Sequence, residues 1–298
     1  MFLNKLNKNN MKSTKKALII DGNSLVFRAF YATLSMYEYA IKKGIRPSNG
    51  IKTSLKMINK ILNSDQYDYA LVAFDSKEKT DRAKIYEGYK ATRKKPVEGL
   101  IEQLVALQDG FSYLGLNVLS SPGIEADDLI GSFSALANKD QITCHIYTSD
   151  QDIFQLVNQY NVVYQFVKGV SVFNQVHERN FQEHFHDLKP EDVIQYKALV
   201  GDSSDNIPGV KGIGEKTAVQ LIKDYLNIDN IYANLDQIKP SIKDKLVANK
   251  ANCYLSKELA TIRTDCLVDQ YINNFKLKPL DQQNYFAFCE YYKISHLD

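Results

Sequence analysis

Three short apolar runs, each closed by an aspartate, constrain this chain more than any other feature. Residues 16–20 run into Asp21-Gly22, residues 69–74 into Asp75, and residues 142–147 into Thr148-Ser149-Asp150. Runs of that length read as buried strands, and patterns of helical period lie between them, over 50–62, 99–114 and 126–137. Strands alternating with helices are joined by right-handed crossovers into a mainly parallel sheet, an α/β fold. Ligands of such sheets bind beyond the carboxyl ends of the strands, the edge to which these three aspartates are delivered.

Composition excludes several classes. A chain of 298 residues that is 44% hydrophobic and 24% charged can bury a large core, as one domain or as a main domain with a smaller one. No apolar run approaches the roughly 20 residues of a membrane span. Residues 1–16 are rich in Asn and Lys and lack the apolar stretch of a signal peptide, so they read as a disordered basic tail, with Met11 an alternative start. Cys144, Cys253, Cys266 and Cys289 show no Cys-x-x-Cys spacing, which fits a reducing cytoplasm rather than a zinc or disulfide framework. The net charge of +2 means that any basic surface is local.

The stretch from Gly201 to Ala218 joins two opposite chemistries. Asp202 and Asp205 sit three apart, a spacing that places two carboxylates on one face of a helical turn and suits a hard divalent cation. Gly209-Val210-Lys211-Gly212-Ile213-Gly214 then forms a glycine hairpin, and Glu215-Lys216-Thr217-Ala218 opens a helix. Glycines let backbone N–H groups approach a phosphate, and a helix N-terminus favours its charge. Either half alone has a plainer explanation, an N-cap or a tight turn. Together they point to an enzyme that holds and cuts nucleic acid.

Glu125, Asp127 and Asp128 open a helix, where capping is their simplest role, and Asp152 could cap a helix from Ile153 to Val157. With Asp21, Asp75, Asp150, Asp202 and Asp205 they form a set whose mutual repulsion would raise their pKa values unless cations neutralised it. Two hard metal ions about 4 Å apart, ligated by oxygen, would require such a set and would serve phosphodiester hydrolysis. Between Lys77 and Lys95 lies a basic island with eight Lys or Arg against Glu78, Asp81 and Glu87, interleaved with Tyr86 and Tyr89. Following directly on Asp75, it should project over the acidic edge, where it would attract a nucleic-acid backbone and stack bases. Beyond Leu188 the pattern becomes helical, a smaller lobe over 188–298. Its aromatic stripe from Tyr271 to Tyr292 reads as packing.

In order along the chain, Ile20-Asp21-Gly22-Asn23-Ser24, Phe74-Asp75, Tyr89-Lys90-x-x-Arg93, Glu125-Ala126-Asp127-Asp128, Asp150-x-Asp152 and the run from Gly201 to Gly214 resemble the 5′-nuclease (flap endonuclease) family. The chain most resembles the N-terminal 5′→3′ exonuclease domain of bacterial DNA polymerase I, from about Ala17 to the C-terminus. The resemblance implies a resolvase-like or PIN-like α/β core over 17–187, a helical arch over about 76–100, and a helix–three-turn–helix that grips duplex DNA. It implies two Mg²⁺ ions, one held by Asp21, Asp75, Glu125 and Asp127 and a second by Asp150, Asp152, Asp202 and Asp205, with Asp128 in support. Mn²⁺ would substitute for Mg²⁺. Lys90 and Arg93 would act on the scissile phosphate and Tyr89 would stack on a base. Arg82 would belong to the DNA-binding arch, and Gly209, Lys211, Gly212, Gly214, Lys216 and Thr217 would hold the backbone, with K⁺ at the hairpin in some members. The substrates implied are DNA with 5′ flaps, nicks or RNA primers. The chain stops where the polymerases continue, so a stand-alone, monomeric nuclease beside a separate polymerase is expected.

Rival readings are a DNA-structure binder without catalysis, a PIN-like RNA-cutting enzyme, and a phosphohydrolase using Asp21 as nucleophile. The binder has no need of the acids, PIN-like enzymes are usually shorter and lack the hairpin lobe, and Asp21-Gly22-Asn23 lacks the second aspartate of the phosphohydrolase.

Overall fold

A computed structural model describes residues 15–168, 172–268 and 270–295; the expected N-terminal tail lies almost wholly outside them. Six strands form one sheet: β1 (Lys16–Asp21), β2 (Tyr69–Ala73), β3 (Asn117–Leu119), β4 (Thr143–Thr148), β5 (Asn161–Lys168) and β6 (Val172–Val176). Their order is β3-β2-β1-β4-β5-β6, with the first five parallel and β6 an antiparallel edge. The three expected strands are the central ones. β5 and β6 escaped notice because β5 carries Asn161 and Gln165, and β6 keeps Val172 and two polar residues exposed.

The central strands read as unbroken apolar runs because both faces are covered. Ala17 and Ile19 pack with Leu71, Ile146 and Phe133 on one side; Leu18 and Ile20 pack with Val72, Phe30, Leu55 and Phe111 on the other. The helices Asn49–Leu62, Glu98–Tyr113 and Ala126–Lys139 stand where periodicity placed them. Two more, Gly22–Ala32 and Leu34–Lys42, follow β1 directly.

After Leu188 the chain is helical: Asp192–Val200, Glu215–Tyr225, Ile228–Ala233, Pro240–Ala248 and Lys250–Ala260. The first-named apolar layer continues into this region through Leu199, Ile222, Ile231 and Leu246. The chain then returns to the sheet, where Leu277 N–H donates to Asp68 O and the ring of Phe275 meets Phe133 edge-on at 5.0 Å. Of the aromatic stripe, Phe275 and Tyr285 are buried, whereas Tyr271 and Tyr291 stay largely exposed. Among the described residues no helix is long and apolar enough to cross a membrane, and the four cysteines are free thiols.

Strand order reverses between β1 and β4, so a crevice opens beyond their carboxyl ends. It holds about 740 Å³ and is lined by Asp21, Asp75, Asp127, Asp150 and Asp202 together with Lys90, Arg93 and Lys197.

Candidate active site

Each acid reaches this crevice by a local rule of chain geometry. Asp21 ends β1 and caps the helix Gly22–Ala32, its Oδ1 accepting from Ser24 N–H at 2.9 Å; its Oδ2 accepts from Thr148 Oγ1 at 2.8 Å. Asp75 follows β2 and accepts from Ala126 N–H at 2.9 Å, so it satisfies the first amide of the helix that carries Asp127. Asp150 follows β4 and accepts from Asp152 N–H at 2.8 Å. Capping and site formation are therefore one arrangement: the groups that end the strands also fix the helices.

The nine acids fall into two sets. Glu125, Asp128, Asp152, Asp202 and Asp205 each have a basic side chain within ion-pair distance. For Asp21, Asp75, Asp127 and Asp150 the described residues provide none, and all four line the crevice. Burial pushes the Asp21 carboxyl up to about 7, with Asp75 and Asp150 adding to it. Burial, then Asp150 and Asp21, hold Asp127 well above the usual carboxylate range. Burial and Asp150 raise Asp152 to about 6 against the pull of Lys197. Asp202 goes the other way: burial opposes ionisation, but Lys197 and the Ser204 hydroxyl and amide hold it below the usual range.

Lys90, Arg93 and Lys197, which line the crevice, each pair with an acid of the first-named set. Lys90 Nζ lies 2.9 Å from Glu125 Oε2, and Arg93 forms a close pair with Asp205, its Nε at 3.1 Å from Oδ1. Lys197, on the helix Asp192–Val200, places its ammonium between two acids, 2.5 Å from Asp152 Oδ1 and in close contact with Asp202 Oδ2. The sequence reading missed Lys197. Its signal was a lone lysine in an otherwise apolar helical turn five residues before Asp202.

Several expected roles are corrected by burial. Asp128 turns away from the crevice: only 2% exposed, it takes both Arg82 Nη groups at 2.7 Å and Arg263 N–H at 2.9 Å. Arg82 is correspondingly 8% exposed and also donates to Leu259 O and Thr261 O, which leaves it no face for DNA. Tyr89 is not a base platform. It is 7% exposed, packs against Ile207 and Leu259, and its hydroxyl donates to Glu125 Oε2 at 3.0 Å. Asp202 and Asp205 do not share a helix face either. They lie in a tight turn in which Asp202 and Ile207 exchange backbone bonds of 2.9 and 2.8 Å, and their carboxylates go to Lys197 and Arg93.

The expected arch region holds one short helix, Asp81–Ile85, whose continuation is pinned down by Lys90 N–H to Asp205 O at 2.8 Å and Asn206 Nδ2 to Gly88 O at 2.7 Å. In the glycine hairpin the positions divide. Gly209, at φ +60°, lies against Val200 and Gly201 so closely that a Cβ would collide with their backbone, and its N–H goes to Ser256 Oγ at 2.8 Å. It is therefore a packing glycine, not a phosphate donor. Gly214 is open on its outer side, Lys211 and Lys216 are exposed, and Thr217 is half-buried at the start of Glu215–Tyr225.

The donor set suits a hard cation. Every candidate ligand is a carboxylate oxygen, and Glu125 Oε1 is buried without a hydrogen-bond partner in a residue only 2% exposed. Among the described residues, however, no three acids already converge on one closed ligand set, and basic side chains stand against five of the nine.

Comparison with known proteins decides the family. A model of the 5′-3′ exonuclease N-terminal resolvase-like domain matches residues 16–186, and one of the 5′-3′ exonuclease C-terminal SAM fold matches 188–283. The chain belongs to the 5′-3′ exonuclease family. Relatives of this family include the 5′-3′ exonuclease of Mycoplasma genitalium, 41% identical over 95% of this chain and 97% of its own length. The counterpart from Mycoplasma pneumoniae is 39% identical with the same coverage. A DNA polymerase I from Caldicellulosiruptor bescii is 38% identical over 91% of this chain, which spans 32% of that protein. In fold, the chain resembles the T5 D15 protein co-crystallised with metal ions, with a TM-score of 0.69 at 21% identity, covering 94% of this chain and 98% of that one. It also resembles the catalytic core of Rad2 in complex with DNA substrate, with a TM-score of 0.58 at 16% identity, covering 94% and 88%.

Proposed function

We propose that this chain is a metal-dependent 5′→3′ exonuclease and 5′-flap endonuclease that hydrolyses DNA phosphodiesters with two Mg²⁺ ions. One observation carries the reading: four acids without basic partners at ion-pair distance among the described residues, Asp21 buried and Asp75, Asp127 and Asp150 half-buried, line the same crevice as Lys90, Arg93 and Lys197. Carboxylates crowded together with little access to water are costly without a counter-charge, and a site retains them where a cation completes it. Asp21, Asp75, Asp127 and Asp150 would hold the first ion and Asp152, Asp202 and Asp205 the second; against the grouping that the resemblance implies, Asp150 moves to the first set because its charge acts on Asp127 and Asp21, and Glu125 leaves it because Lys90 pairs with it. When bound, the ions supply water activation at neutral pH and stabilise charge on the attacking and leaving oxygens.

The chain's own residues do the rest. Lys90 and Arg93 line the crevice but spend their charge on Glu125 and Asp205. A phosphate entering the crevice offers both a competing anion, and they would clamp it as charge develops. The exposed Lys211 and Lys216 would hold duplex backbone without reading sequence. The relatives named 5′-3′ exonuclease and DNA polymerase I support a role in primer removal and repair beside a separate polymerase.

The deciding experiment offers a labelled 5′ flap, a nicked duplex and a single strand, each with Mg²⁺, Mn²⁺ or chelator, and sizes the products. Cleavage at the flap base or 5′ end, leaving 5′-phosphate and 3′-hydroxyl termini, is expected only with metal. Binding without any product would leave a structure-specific binder.

Two variants separate chemistry from grip. Lys90→Ala should lower single-turnover cleavage by about 10²–10³-fold, with a much smaller loss of affinity. Equal losses would make Lys90 an ordinary backbone contact. The double change Lys211→Ala, Lys216→Ala should weaken duplex binding alike across sequences and flatten the slope of log affinity against log salt by about 0.9 per lost contact. An unchanged slope in anisotropy titrations would mean that both lysines are merely solvated.

A further inference from the structure

The second acid pair already contains a cation. Asp152 begins the turn after β4, Asp202 lies in the loop after the helix Asp192–Val200, and Lys197 reaches both from that helix. The ammonium is mostly buried, and Asp152 and Asp202 meet no other basic group at ion-pair distance among the described residues. The helix that carries it is anchored by the buried Val193, Ala198 and Leu199, so only the flexible side chain can withdraw. It lines the crevice, where the phosphate would arrive, and can withdraw into it.

We infer that Lys197 is the resident counter-cation of the Asp152–Asp202 pair, and that a second divalent ion binds there only in competition with its ammonium. This rests on the metal-dependent reading above. Among the described residues the first set of acids has no basic side chain at ion-pair distance, so the two ions would not be equivalent in the free protein: one would meet carboxylates without a resident ammonium and the other must displace a lysine. Substrate favours the exchange, because its phosphate offers Lys197 a new anion as the second ion takes over the two aspartates. Lys197 is thus a positioning residue that couples the second ion to DNA.

The test counts Mn²⁺ ions by electron paramagnetic resonance on the full chain without DNA. Wild type should bind one ion tightly and a second at least about tenfold more weakly. Lys197→Met removes one positive charge beside a divalent ion and should tighten the second by about tenfold or more, whereas Lys197→Arg keeps the charge and should behave as wild type. Unchanged or weaker second-ion binding in Lys197→Met overturns the inference. Should that variant fail to fold without metal, Lys197→Gln and the Mg²⁺-induced rise in Tm serve instead: a larger rise than wild type supports the competition, an equal or smaller one refutes it. A wild-type protein that binds no Mn²⁺ and cuts no flap removes the metal reading itself. A metal-dependent nuclease with an unaltered Lys197→Met count refutes only the role of the lysine.

Discussion

Asp150→Ala should lower single-turnover cleavage of a 5′-flap substrate by about 10³-fold or more, the several kcal/mol of charge stabilisation that a correctly held metal supplies. Flap affinity measured in Ca²⁺ or chelator should stay near wild type, since Asp150 makes no phosphate contact in this reading. Stability should move in the opposite direction to activity. Asp150 raises the carboxyl groups of Asp127, Asp21 and Asp152 by repulsion, so its removal relieves the metal-free site. The metal-free Tm should hold or rise, while the Mg²⁺-dependent gain in Tm shrinks, because less binding energy is linked to folding. Asp150 also accepts Asp152 N–H, so Asp150→Asn, which keeps an acceptor there, separates loss of charge from loss of that bond. Full activity in either variant, or an undiminished Mg²⁺ effect on Tm, would remove Asp150 from the metal site.

The parts of this site legible in the sequence are those written in local patterns. Asp21, Asp75 and Asp150 end apolar runs, and a strand's end in a parallel sheet is where a ligand edge forms. Asp127 was visible as an acid in a helix's first turn. Which acids carry their own cations was not visible, because Lys197, Lys90 and Arg93 meet Asp152, Glu125 and Asp205 only through tertiary packing. The basic island illustrates the same limit. Its composition reads as one exposed, DNA-facing surface, yet Arg82 and Tyr89 point inward and only Lys90 and Arg93 reach the crevice. Charge runs report average solvation; they do not say which member of the run is the anchor. Likewise Asp202 and Asp205 have helical spacing but sit in a tight turn, where three-residue separation sends side chains to different partners.

Arg82→Ala carries the largest expected cost in stability. The guanidinium is held by Asp128 through two bonds of 2.7 Å, by Glu125 at 3.3 Å, and by the carbonyls of Leu259 and Thr261. Burial works against its charge, yet Asp128 and Glu125 keep it firmly protonated. Removing it strands a carboxylate that is 2% exposed, with Arg263 N–H as its remaining donor, and breaking such a buried pair costs about 3–5 kcal/mol. In a chain of this size that corresponds to a fall in Tm on the order of 10 °C. The double variant Arg82→Met, Asp128→Leu removes both charges together and should recover most of the loss in urea denaturation, since apolar replacement of a buried pair is often neutral. Function should separate from stability here. Arg82 ties the helix Asp81–Ile85 to the end of the helix Lys250–Ala260, and that segment continues into Lys90 and Arg93. The double variant should therefore regain stability without regaining full cleavage rate, even at temperatures where it is folded. A loss below about 1 kcal/mol in Arg82→Ala would show the pair to be solvated, as surface pairs are. Full cleavage in the refolded double variant would show instead that Lys90 and Arg93 are positioned by Tyr89 and the Lys90–Asp205 backbone bond alone.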